Sequence, residues 1–262
     1  MNKKYIIDLS VVENVSINSN YVLLKTTLSD SQPFPEIKSG QFAELKVENS
    51  PATYLRRPIS INYVDVEKKE IWFLIHLVGE GTRKLALLKP KETINAVLPL
   101  GNGFTIPANK EAISPILIGG GVGVAPLLNL GKELKEHGMK PTFLLGARSK
   151  NDLLLLDMFA LFGDVYVTTE DGSLGEKGFV TQHSILDKVK FDQVYCCGPK
   201  PMMVSVAKYA QANHIACEVS LENKMACGVG ACLCCVENTH EGHLCVCKDG
   251  PVFKIEQLLW QI

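Results

Sequence analysis

The sequence carries almost no net charge: 27 basic and 28 acidic side chains among 262 residues leave −1 at neutral pH. Such a balance gives no electrostatic footprint for nucleic acid or for an anionic membrane. Long apolar runs are also missing. The most apolar stretch, PILIGGGVGVAPLLNL (115–130), is too short and too rich in Gly and Pro to cross a bilayer. The N-terminal MNKKYIIDLSVVENVSI has no continuous apolar segment and no small-residue cleavage site, so it reads as a strand rather than a signal peptide. There is no internal repeat and no low-complexity linker. These absences predict a cytoplasmic protein that binds neither nucleic acid nor membrane.

What is present is ordinary folding material. A hydrophobic content of 46% and a charged content of 21% suit a folded chain with enough length for two compact domains. Nine cysteines, an odd number without a secretory signal, argue against a disulfide framework. Cys196, Cys197 and Cys217 lie in or near strand-like apolar runs and read as small buried hydrophobes. The other six crowd between Cys227 and Cys247 and need another explanation.

Residues 1–103 read as closely spaced strands (YIIDLSVVENVSI, YVLLKTTL, QFAELKV, PISINYVDV, EIWFLIHLV) separated by turns such as Asn18-Ser19-Asn20 and Pro33-Phe34-Pro35. That pattern predicts an antiparallel barrel or sandwich, with one helical stretch in TRKLALLKP ending at Pro90. LPLGNGFTIP (98–107) marks a boundary. From 104 to 216 apolar strands alternate with helical segments, as in SPILIGGGVG followed by LLNLGKELKEHG and PTFLLGAR followed by LLLLDMFALFG. This alternation predicts an α/β domain around a parallel sheet. The Cys- and Gly-rich tail, 217–262, is too short for a hydrophobic core of its own and needs a staple.

Three motifs suggest nucleotide chemistry. GGGVGVAPLL follows an apolar strand and opens a helix; glycines let backbone N–H groups approach a diphosphate, and the helix start adds positive potential. Gly121, Gly123 and Pro126 make it GxGxxP, with Pro suited to a first helical turn. YCCGPKPMM (195–203) repeats the strand–turn–helix pattern later in the same α/β unit. RRPISI (56–61) places Arg57 before GEGT (79–82), and an arginine plus a helix start can clamp a diphosphate. Without a ligand, each of these also reads as a tight turn or a solvated arginine pair.

In this order the motifs resemble the ferredoxin–NADP reductase superfamily over roughly residues 5–217. The resemblance implies an FAD-binding β-barrel followed by an α/β domain for the nicotinamide nucleotide. It places Arg57, Pro58, Ile59 and Ser60 at the flavin and its diphosphate. Leu74, Ile75 and His76 would run alongside FAD, with Gly81 and Thr82 at the diphosphate. Gly121, Gly123 and Pro126 would face the nicotinamide nucleotide, joined by Cys197, Gly198 and Pro199 near the nicotinamide. His76 also reads as a strand histidine satisfied by a backbone partner. Glu170 and Asp171 after the third α/β strand favour NAD over NADP, whereas Arg148 argues the other way.

Cys227, Cys232 and Cys235 fit C-x4-C-x2-C, the plant-type [2Fe–2S] spacing. Gly228 and Gly230 fit a loop that aims N–H groups at sulfur. The rival is a structural four-cysteine zinc site, which more often uses C-x2-C pairs in both halves. Cys234 shortens the last step and is set aside. Spacing does not separate Cys245 from Cys247 as fourth ligand. The motifs MACGVGACLCC and CKDGPVF resemble the electron-transfer subunits of NAD-dependent, class 1B dihydroorotate dehydrogenases, which extends the likeness over nearly the whole chain. That resemblance implies Cys247 as the fourth ligand and a small C-terminal [2Fe–2S] domain. It also implies an FMN-bearing catalytic partner, two copies of each chain in a heterotetramer, and a role in pyrimidine synthesis. Electrons would pass from FMN through the cluster and FAD to NAD+, with no catalytic side chain needed here. Two other readings remain: the reductase subunit of a hydrogenase, sulfite reductase or transhydrogenase complex, and a non-catalytic regulatory module with a zinc-stapled tail. Trp260 reads equally as a subunit anchor or as part of a packed terminus.

Overall fold

The computed structural model describes residues 3–28, 34–108 and 113–261. Pro33, in one of the expected turns, lies outside these residues. The first half is a closed antiparallel barrel of β1 (Tyr5–Asn18), β2 (Tyr21–Leu28), β3 (Phe42–Leu45), β4 (Arg57–Asp65), β5 (Glu70–His76) and β6 (Thr93–Leu100), in the order β1-β2-β5-β4-β3-β6. Alternate residues of these strands, among them Leu9, Val11, Leu24, Ala43, Leu45, Phe73, Ile75 and Leu98, fill its interior. A short helix α1 (Glu80–Leu85) follows β5. It ends five residues before Pro90, so the helical stretch read from TRKLALLKP is both shorter and earlier than expected. Strand β6, which closes the barrel against β1 and β3, lies partly in the stretch read as a boundary.

The second half contains a seven-stranded sheet. Its strands and helices are β7 (Pro115–Gly120), α2 (Ala125–Glu136), β8 (Thr142–Ala147), α3 (Leu156–Ala160), β9 (Asp164–Thr169), β10 (Glu176–Lys177), α4 (Ile185–Lys188), β11 (Gln193–Cys197), α5 (Lys200–Ala212) and β12 (Ala216–Ser220). Then come β13 (Val236–Thr239), β14 (Gly242–Cys245), α6 (Val246–Asp249) and β15 (Val252–Lys254). The sheet order is β10-β9-β8-β7-β11-β12-β15, parallel except for β15. All six residues of β7 are buried, as expected for a central strand covered on both faces. The helix expected in LLLLDMFALFG is only five residues long; Leu155 takes a left-handed φ of 57° just before it, and Leu153 to Leu155 pack as irregular chain against the core.

The three regions share cores. Tyr21, Leu23, Trp72 and Leu74 of the barrel pack into the same cluster as Leu117, Leu127 and Leu128 of the α/β unit. Asn62 Nδ2 donates to the Ala125 carbonyl at 2.9 Å, and the Val64 N–H donates to Asn129 Oδ1 at 3.0 Å. Strand β4 and helix α2, which carry two of the three motifs, are thereby locked together. The tail joins through β15, whose residues pair with Glu218, Val219 and Ser220 of β12. Strand β12 itself runs through the expected boundary at 216/217.

Candidate functional site

The carboxyl ends of the parallel strands meet where the chain order reverses. From β7 the chain moves outward through β8 and β9, then returns to place β11 on the other side of β7. This is the switch point at which open α/β sheets bind ligands. The loops after β7 and β11 touch there. A Cβ on Gly123 would lie 2.5 Å from Gly198 Cα and 2.7 Å from the Cys197 carbonyl carbon. One on Gly120 would meet Met202 Sδ at 2.5 Å. Only glycines permit this approach. Gly121 takes φ 55°, opening the turn that leads into α2, and Pro126 sits buried in its first turn.

Cys197 is buried, and its thiol lies 4.0 Å from Glu222 Oε1. Burial, with Glu222 nearby, pushes the thiol well above its ordinary range. Glu222 was invisible to motif reading, because nothing in its local sequence links it to the loop 25 residues earlier. Cys196 and Cys217 are buried and likewise raised by burial, as small hydrophobes are. Of the acids expected to favour NAD, Glu170 is exposed, while Asp171 accepts from the N–H and hydroxyl of Ser173 and so shapes its own turn.

On the barrel, Arg57, Pro58, Ile59 and Ser60 form four successive half-buried positions at the start of β4, then the strand dives into the core. Arg57 lies against α1: a Cβ on Gly81 would meet its Cδ at 3.1 Å and Thr53 Cγ2 at 3.0 Å. Thr82 bonds Gly79 at both backbone N–H and carbonyl, which fixes the helix start. Arg56 is committed elsewhere, donating to the Asn95 carbonyl at 2.9 Å. The Ile75 side chain fills the barrel and Leu74 packs at the junction with α2; their main chain pairs with Val22 and Leu23 of β2 on one edge, while the register with β4 stops at Phe73 and leaves the other edge outside the ladder. His76 stacks on Tyr21 at 4.6 Å, and the Tyr21 hydroxyl points toward Gly121. The histidine therefore stands near the Gly121 turn, at the end of β5.

The cysteine loop is built around sulfur acceptors. Cys227 Sγ accepts from the N–H groups of Val229 (3.5 Å), Ala231 (3.3 Å) and Cys232 (3.4 Å). Gly228 and Gly230, at φ 67° and 81°, let the chain turn back over its own sulfur. The hairpin of β13 and β14 then returns the chain, and one turn of α6 brings Cys247 beside Cys235. The Cys247 N–H donates to Cys235 Sγ at 3.4 Å, and Cys247 Sγ accepts from Gly230 N–H at 3.1 Å. Cys245 is buried in the same apolar cluster as Cys235 and Cys247, and its N–H donates to Asp249 Oδ2 at 2.8 Å. Cys234 is exposed, as is Cys232.

Electrostatics follow the same division. Burial opposes ionisation of Cys227, but the N–H groups of Val229, Cys232 and Ala231 outweigh it and bring the thiol down to about 6. Burial, and then Cys235, raises Cys247 to about 12. A thiol so buried ionises when iron supplies the compensating positive charge. Among the described residues, no three His, Cys, Asp or Glu side chains form a group that could hold a single metal ion. The backbone N–H donors on the sulfurs of Cys227, Cys235 and Cys247 suit an anionic iron–sulfur group. Trp260 packs half-buried against the sheet core, with Lys200 Nζ 5.9 Å from its ring. Among the described residues, no helix is long and apolar enough to cross a membrane.

Comparison with known proteins agrees with this geometry. Residues 222–259 match the model of the iron–sulfur cluster binding domain of dihydroorotate dehydrogenase B, and residues 117–208 match the oxidoreductase NAD-binding domain. The chain is 38% identical over 263 residues to the dihydroorotate dehydrogenase B (NAD+) electron transfer subunit of Bacillus pumilus, covering 98% of each protein. It is 41% identical to the subunit of the same name from Bacillus velezensis, over 84% of this chain and 86% of that one. Among solved structures, an NADH-dependent reduced ferredoxin–NADP oxidoreductase studied for flavin-based electron bifurcation superposes with a TM-score of 0.83. It shares 31% identity and covers 96% of this chain and 90% of that one. An Amycolatopsis cytochrome P450 reductase, at 22% identity and a TM-score of 0.70 over 82% of this chain and 68% of that one, shares the fold.

Proposed function

The chain belongs to the family of dihydroorotate dehydrogenase B electron transfer subunits, and on that premise we propose that it carries electrons from a dihydroorotate-oxidising partner to NAD+. The observation that carries this reading is the packing of three sites against one another. The cysteine loop abuts the barrel, and the barrel's flavin strand β4 is bolted to helix α2 of the nucleotide loop. When bound, a [2Fe–2S] cluster passes single electrons, FAD exchanges one or two, and NAD+ accepts a pair.

The chain's own residues bind and orient. Cys227, Cys232, Cys235 and Cys247 ligate the cluster, while loop N–H groups neutralise charge on their sulfurs. Arg57, Gly81 and Thr82 hold the FAD diphosphate, and Pro58, Ile59, Ser60 and the main chain of Leu74, Ile75 and His76 line the flavin. Gly121, Gly123 and Pro126 cradle the nucleotide diphosphate, and Cys197, Gly198 and Pro199 border the nicotinamide. The working division is a barrel over 1–103, a nucleotide domain over 104–216 and a cluster domain over 217–262. The partner carries FMN, the assembly is a heterotetramer of two plus two, and it works in the cytoplasm in pyrimidine synthesis.

Anaerobic titration of the purified protein with NADH tests the reading. Flavin absorbance should bleach and the signal of a reduced [2Fe–2S] cluster should appear by electron paramagnetic resonance. A colourless protein holding zinc would end it.

A further inference from the structure

Among the described residues, Glu44 is the one buried side chain with two unpartnered polar atoms. It is 1% exposed, and neither carboxyl oxygen has a hydrogen-bond partner. An unpartnered buried carboxyl is a costly arrangement that calls for a reason. Its neighbours suggest one. Glu44 lies on β3 opposite Pro58 of the flavin strand, while Ala43 and Leu45 on either side fill the barrel. The Glu44 side chain therefore leaves the barrel, toward the cysteine loop. A Cβ on Gly228 would lie 2.7 Å from Glu44 Cγ and 3.1 Å from Oε1, so the loop passes directly over the carboxyl.

Two arginines stand near without satisfying it. Arg56 donates to the Glu44 backbone carbonyl at 3.3 Å and to Asn95, and Arg57 Nε donates to the Arg56 carbonyl at 3.0 Å. The acid is thus held in the seam between the strand that carries the flavin arginine and the residue that follows Cys227.

We propose that Glu44 is a positioning residue for electron transfer: a buried acid, built into the seam between barrel and cysteine loop, that lowers the reduction potential of the cluster held there. This rests on the cluster reading given above. Reduction adds negative charge to the cluster, and a carboxylate in a poorly solvated seam opposes that addition. The side chain holds this charge without being a ligand. Burial raises Glu44 to about 7 against the pull of Arg57 and Arg56, so the test of its charge is run above that value.

The test is a redox titration of the flavin- and cluster-loaded protein at pH 8.5, followed by electron paramagnetic resonance, for wild type, Glu44→Gln and Glu48→Gln. Glutamine keeps the shape of the side chain and removes its charge. Glu48 is exposed and pairs with Lys46, so its variant removes one solvated charge rather than a buried one. The cluster midpoint should move to a more positive potential in Glu44→Gln, with iron content and g values unchanged, and stay in place in Glu48→Gln. An unmoved midpoint in Glu44→Gln, or an equal shift in Glu48→Gln, overturns the proposal alone. A wild-type protein with no cluster signal overturns the cluster reading and this proposal together. Should glutamine prevent cluster loading, Glu44→Ser, which leaves the space to water, carries the same expectation and the same refutation.

Discussion

Gly123→Ala is the sharpest perturbation of the nucleotide site. The added methyl would sit 2.5 Å from Gly198 Cα, 2.6 Å from Gly198 N and 2.7 Å from the Cys197 carbonyl carbon, where ordinary contact begins at 3.4 Å. All three are backbone atoms, so no side chain can swing aside. The two loops must separate by the better part of an ångström. The loops already touch without nucleotide, so this separation shifts the Gly121–Pro126 turn from the position that would receive the diphosphate, and binding must restore it against the strain. Overpacking of this kind costs about 1–3 kcal/mol, and at about 1.4 kcal/mol per tenfold the KM for NADH rises about 5- to 150-fold. The assay is NADH oxidation with an artificial electron acceptor, which needs no partner subunit. Flavin and iron content should match wild type, because the three atoms nearest the added methyl all belong to Cys197 and Gly198 at the end of β11. A KM within twofold of wild type, with flavin fully loaded, would refute the reasoning.

Serine at Cys227, Cys232, Cys235 or Cys247 should abolish cluster binding, whereas serine at Cys234 or Cys245 should preserve it; iron and sulfide analysis checks all six, and a full cluster in Cys247→Ser would overturn the ligand assignment. Arg57→Ala should lose FAD on dialysis with little change in melting temperature. Arg56→Ala should do the reverse, because its guanidinium serves Asn95 and the Glu44 carbonyl rather than a ligand. His183 is 7% exposed and its Nδ1 accepts the Ile185 N–H, so burial holds its pKa below the usual value. The folded protein then binds fewer protons than the unfolded chain below about pH 6.5, so the stability that neutral His183 contributes is present above that pH and lost as pH falls through the lowered folded value. Melting temperature should accordingly drop less between pH 7 and pH 5 in His183→Gln than in wild type.

Much of this was legible in the sequence, for physical reasons that also explain the gaps. The strand–glycine–helix pattern of GGGVGVAPLL and the spacing of Cys227, Cys232 and Cys235 are local, and local geometry is what a linear pattern encodes. The choice between Cys245 and Cys247 was not local. The β13–β14 hairpin delivers one turn of α6, with Cys247, to Cys235, a placement that spacing cannot express. Strand β6 was overlooked because its Pro99 and the Gly-Asn-Gly that follows look like a boundary. Strand β15 has three residues and becomes a strand only by pairing with β12. Glu44 and Glu222 gave no signal at all: each acquires meaning from a partner distant in sequence, Gly228 in one case and Cys197 in the other.

The central claim is that this chain delivers electrons from its partner to NAD+. Purified together with the catalytic subunit, it should reduce NAD+ at the expense of dihydroorotate, producing NADH and orotate in equal amounts. The partner alone should yield no NADH, and a complex built with Cys227→Ser should lose the reaction while still oxidising NADH with an artificial acceptor. NADH formation by the partner alone, or undiminished turnover in the cluster-free complex, would contradict the account.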